Sequence, residues 1–107
     1  MRYISTRDTI APVTAAEAIN LGMVPSGGLF VPERVPEVDP SGSRNETYHA
    51  TARRVLAPLL PDFSEPQLNA CIDEAYNAST FDTPSVVDLR ALDSSRFVLE
   101  LWHGPTA

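Results

Sequence analysis

The sequence predicts a small α+β domain of about three helices packed with short β-strands. Three observations carry this prediction. Ten prolines and five glycines cut the chain into short pieces. Three segments pair a helix-capping residue with a Glu or Gln three positions on, each leading into an apolar stripe of period 3.6. Near the end, Arg96–Trp102 alternates in the manner of a strand. At 107 residues the chain has room for one domain, expected to span 1–107, and a core is feasible at that size.

The elements follow in order. Tyr3, Ile4 and Thr6 suit a pleated backbone, so 1–6 is expected to be a strand. Thr14 and Glu17 have capping-box spacing. Ala15, Ala18, Ile19 and Gly22 then share one helical face, with Gly22 where a left-handed terminating residue is expected. Pro25-Ser26-Gly27-Gly28 is a tight turn by composition, and Leu29-Phe30-Val31 a brief strand ended by Pro32. Pro32, Pro36 and Pro40 mark a stiff extended connection.

A second helix is expected from near Ser43, with Glu46 as capping partner. Tyr48, Ala52, Val55, Leu56 and Leu59 form its apolar stripe, Arg53 and Arg54 are solvated, and Pro58 ends it. The third helix has the fullest signature. Ser64 and Gln67 form a capping box, Pro66 is tolerated in the first turn, and Phe63 and Leu68 make a hydrophobic staple. Leu68, Cys71, Ile72, Ala75 and Tyr76 then make one face, with Cys71 as a small buried hydrophobe. Val86–Leu89 reads as a short extended piece and Asp93-Ser94-Ser95 as a turn. In the final strand Phe97, Leu99 and Leu101 face one way, and Arg96, Val98, Glu100 and Trp102 the other.

Charge narrows the function. The formal net charge is -6, every basic side chain is an arginine, and there is no lysine. An acidic chain with scattered arginines is a poor binder of nucleic acid or anionic membrane. A single cysteine excludes an intrachain disulfide, and no apolar run nears the roughly 20 residues needed to cross a bilayer. A soluble, cytoplasmic protein is the expectation. Two histidines and one cysteine spell out no zinc site, so no metal is expected. His49 reads as an exposed or edge histidine on the second helix. No phosphate-binding loop, dinucleotide fingerprint or nucleophile elbow is present. The segment that stands out is His103-Gly104-Pro105-Thr106, where a strand delivers an imidazole and a hydroxyl to its C-terminal end.

Several segments, in order, resemble the N-terminal region of the threonine synthases. The start Met1–Arg7 is similar to the family's opening. Gly22-Met23-Val24-Pro25-Ser26-Gly27-Gly28-Leu29-Phe30-Val31-Pro32 resembles its glycine-rich segment. Tyr48, Ala52, Leu56 and Ala75-Tyr76 match its helical landmarks, and Leu99–Thr106 (L-E-L-W-H-G-P-T) is similar to its "LELFHGPT" stretch. Ser26 replaces the usual Asp, and Phe81 lies further from Tyr76 than is common in the family.

The resemblance implies a pyridoxal-phosphate enzyme that converts O-phospho-L-homoserine and water to L-threonine and phosphate. In the family the lysine that binds the cofactor follows shortly after this last motif. The present chain ends at Ala107 and has no lysine, and arginine does not form imines. The expectation is therefore an N-terminal piece of the enzyme. It would hold no cofactor and contribute no catalytic residue by itself, and it would pack on catalytic domains outside these residues. His103 and Thr106 are the expected neighbours of the cofactor pocket. Two alternatives remain: a threonine-synthase-like phospho-lyase, or a non-enzymatic interaction domain that self-associates through the apolar strand Phe97–Trp102.

Overall fold

The computed structural model of the chain describes residues 1–41 and 46–105. The described residues form an α+β domain with three helices and two small antiparallel sheets, as the sequence predicts. Strand β1 (Tyr3–Ser5) pairs with β2 (Phe30–Pro32), setting Ile4 opposite Val31. Leu29 and Thr6 extend the pairing through a Thr6 N–H to Leu29 carbonyl bond of 3.0 Å. Between them the chain turns at Gly27 and Gly28, both at positive φ. A Cβ on Gly28 would lie 3.0 Å from Thr6 Oγ1, so close approach and backbone angle both require glycine there.

Helix α1 (Ala15–Leu21) carries the expected capping box and ends at Gly22 with φ +70. Its N-terminus has a second cap that no local pattern announces. Asp62 accepts from the Ala15 N–H at 3.3 Å and the Ala16 N–H at 2.7 Å. Ala15 and Ala18 are buried as expected, but Ile19 is exposed. So short a helix covers only a narrow strip, and the strip ends before Ile19.

Helix α2 (Tyr48–Leu56) starts later than predicted. Its cap is Thr47, whose Oγ1 accepts from the Ala50 N–H at 3.2 Å. Ser43 lies outside the described residues. Glu46 does not cap; it binds Arg54 at 2.9 Å and the Thr51 hydroxyl at 3.2 Å. Arg53 and Arg54 are half-buried in ion pairs rather than solvated, Arg53 reaching Asp73 on the next helix at 2.7 Å. Val55, placed on the apolar stripe by the sequence, is exposed, and no residue of α2 is buried.

Helix α3 (Glu65–Ala75) has the predicted box, with Gln67 Oε1 accepting from the Ser64 N–H at 2.9 Å and its hydroxyl at 2.7 Å. Leu68 and Ile72 are buried, on a helix that packs against α2. Cys71 and Ala75 are exposed, against expectation. They lie on the same half of the helix, but no described element covers that edge of the face. Tyr76 closes the helix and stacks edge-on against Tyr48 with ring centroids 4.9 Å apart.

The last sheet is a hairpin of β3 (Asp88–Ala91) and β4 (Phe97–Glu100), with Asp88 opposite Glu100 and Ala91 opposite Phe97. β3 starts two residues later than predicted because Val86 adopts φ +68, which ends any extended run there. β4 stops at Glu100, short of the predicted Trp102, because Asp88 is the last residue available to pair across from it. The Asp93-Ser94-Ser95 turn is as expected, with Asp93 Oδ1 accepting from the Ser95 and Arg96 N–H groups.

The core is thin. Its buried apolar residues are Ala15, Ala18, Val24, Leu68, Ile72 and Val86. The Cα radius of gyration is 16.4 Å, where a self-contained domain of this length has about 13 Å. The accessible surface is 7768 Å², about 2,000 Å² more than a compact monomer of this mass exposes.

Candidate functional site

Two features meet at the end of β4. The first is a charged cluster around His103. The Asp82 N–H donates to the His103 carbonyl at 3.0 Å, which ties the chain after β4 to the 77–84 connection. The imidazole lies between two carboxylates, with Nδ1 2.6 Å from Asp82 Oδ1 and Nε2 2.9 Å from Glu100 Oε2. The His103 side chain is only 14% exposed, while Asp82 is 72% exposed. Only the protonated ring donates from both nitrogens. The Glu100 bond first, then the Asp82 bond, push the His103 pKa up. Glu100 also receives Arg90 Nε at 3.2 Å.

Donor atoms of Asp88, Glu100 and His103 lie within 4.8 Å of one another. Each already has a protein partner, Asp88 accepting from Ser85 Oγ at 2.5 Å. Two carboxylates directly opposite on paired strands repel. Here Arg90 and, once protonated, the imidazole offset that repulsion, so the cluster is accounted for without an ion.

The second feature is packing. Phe81 stacks on Tyr76 with centroids 5.7 Å apart, continuing the Tyr48–Tyr76 pair. A Cβ on Gly104 would come within 2.5 Å of Phe81 Cε1. The His103-Gly104 step is thus pressed onto Phe81 of the 77–84 connection, the end of an aromatic row that runs through Tyr76, the C-cap of α3, to Tyr48 of α2.

Of the two residues expected at the site, His103 is half-buried with both ring nitrogens engaged, and Thr106 lies outside the described residues. His49 is an edge histidine as expected, half-buried and 3.9 Å from Asp73. Sequence reasoning does not single out Asp82 or Glu100. Glu100, three residues before His103, was within reach of a spacing argument; Asp82, 21 residues away, gave no local signal. Around the cluster the hairpin shows apolar side chains to solvent, among them Phe97 at 57% and Trp102 at 62% exposure, with Leu99 and Leu101 between them.

A two-sheet α+β domain with this terminal strand and its His-Gly-Pro exit has the make-up of a threonine synthase N-terminal domain. The comparisons agree. The family model described as "Threonine synthase N terminus" matches residues 2–76. The threonine synthase of Schizosaccharomyces pombe is 34% identical over 97% of this chain and 21% of its own length. Threonine synthase-like 2 of Homo sapiens is 36% identical over 99% of this chain and 22% of its own. The crystal structure of PLP-bound threonine synthase from Brucella melitensis superposes with a TM-score of 0.81 at 32% identity, over 98% of this chain and 23% of that one. This chain belongs to the threonine synthase family. It spans a little over a fifth of the length of these relatives.

Proposed function

We propose that these 107 residues are the N-terminal domain of a pyridoxal-phosphate-dependent threonine synthase, which converts O-phospho-L-homoserine and water to L-threonine and phosphate. The observation that carries this reading is the match to the PLP-bound Brucella melitensis enzyme over 98% of the chain. The residues present do not by themselves fit the cofactor. There is no lysine to hold an aldehyde, and the imidazole nearest the chain's end has both nitrogens occupied. The domain's part is therefore structural: it docks on cofactor-binding domains outside these residues, and alone it is inactive. The excess surface supports docking, since each partner of a permanent interface loses about 1,000–2,500 Å². The apolar hairpin is the face best suited to it. His103 and Thr106 are proposed to lie beside the pocket that this docking completes. A cytoplasmic location is part of the same reading; none of the described helices is long and apolar enough to cross a membrane.

A second reading is favoured by one observation. The human threonine synthase-like 2 is as similar to this chain as the threonine synthases are. The enzyme would then be a phospho-lyase that eliminates phosphate without making threonine. Products separate the two. The enzyme carrying this domain, given O-phospho-L-homoserine, yields threonine under the first reading and a 2-oxo acid under the second. Neither product, with no cofactor bound, would overturn both.

A further inference from the structure

We propose that Asp82, His103 and Glu100 form a charged clasp that fixes where the chain leaves this domain, with His103 a positioning residue that does not itself touch ligand. Four contacts meet on two residues. The His103 carbonyl takes the Asp82 N–H, its ring bridges Asp82 and Glu100, and Gly104 abuts Phe81. Together they join three separate stretches: the 77–84 connection, the end of β4 and the His-Gly-Pro exit. An isolated ion pair at the surface would hold little. This ring is mostly covered, and its backbone is tied to the same residue that pairs with it.

The clasp works only with the ring charged. A neutral imidazole has one donor, so its bare nitrogen would face a carboxylate lone pair. The charged groups around the ring are Asp82 from the connection, Glu100 from β4, and Asp88 and Arg90 from β3. Arg90 is held on the far oxygen of Glu100, which leaves the near oxygen to His103. Raising the pH removes the ring proton and releases one end of the clasp. The exit segment then loses its fixed direction.

The effect on turnover rests on the reading above, that this domain docks beside a cofactor pocket; the charge of the ring does not. The test uses the full-length enzyme with Asp82→Asn and His103→Gln, each checked for folding by thermal melting. NMR titration of the His103 imidazole should give a lower midpoint in Asp82→Asn than in the unaltered enzyme. The pH profile of kcat should fall on its basic side at that midpoint. Asp82→Asn should move the fall to lower pH, and His103→Gln should lower kcat about tenfold or more with KM nearly unchanged. An unmoved midpoint in Asp82→Asn overturns the clasp. A folded His103→Gln enzyme with unaltered kcat and profile overturns the positioning role, as does one that changes only KM, which would mean direct ligand contact. If the enzyme makes no threonine but the midpoint shifts as expected, the functional reading fails and the clasp stands.

Discussion

Replacing Gly104 with alanine puts a methyl carbon 2.5 Å from the Phe81 ring. The ring has little room to yield, because it stacks on Tyr76, which stacks on Tyr48. Overpacking of this kind costs about 1–3 kcal/mol, and urea unfolding of Gly104→Ala should show a loss of that size. His103 gives a prediction with a sign. Its pKa is raised by Glu100 and Asp82, so its stabilisation is fully present below the unfolded value of about 6.5. That stabilisation fades as pH rises through the folded value. The melting temperature of the unaltered protein should exceed that of His103→Gln at acidic pH, and the two should converge as the pH climbs. A constant gap across that range would mean the ring's charge has no part in it. The interest of His103 was legible because a strand leads straight to it. Its partners were harder to see, since Asp82 meets it only through tertiary folding. Cys71 shows the converse: helical periodicity puts it on an apolar face, but periodicity says nothing about whether a neighbour covers that edge.

At the scale of elements, the helix starts were the most legible feature. A cap acts within four residues, so Thr14 with Glu17 and Ser64 with Gln67 could be read directly. The structure starts α2 after Thr47 rather than near Ser43, because Thr47 is an equally good cap. The Arg54 pairing that draws Glu46 away is a tertiary fact. The Asp62 cap on α1 was invisible for the same reason, and it can be tested. Asp62→Ala should lose about 1 kcal/mol, the usual worth of a cap with a favourable charge at a helix N-terminus, measured by chemical denaturation. Ile72, 2% exposed, anchors α3, and Ile72→Ala should cost about 2–5 kcal/mol by the same measurement. The final strand was legible in its alternation but not in its length, which depends on how far its partner runs.

The whole molecule has an unusual economy. Few residues are buried, the radius is large for the length, and the most strand-like segment of the sequence is among its most exposed. Residues that alternate well for a sheet but find no second layer are what a docking face looks like before its partner is added. The uncovered apolar strand at Phe97–Trp102 is legible in the sequence, whereas the thin core is not, since burial depends on what else is folded nearby. An uncovered strand of this kind can pair with another copy, so self-association of the 107-residue chain through β4 is a prediction. Sedimentation of that chain should show concentration-dependent oligomers, reduced by Leu99→Lys. The most direct test of the docking account is hydrogen–deuterium exchange across β3 and β4, in the isolated chain and in the full-length enzyme. Burial against the rest of the enzyme should slow the amides of Phe97–Glu100 strongly in the full-length protein and leave them faster in the isolated chain at a concentration where it is monomeric. Equal rates in both would contradict the claim that this hairpin is the face on which the domain docks.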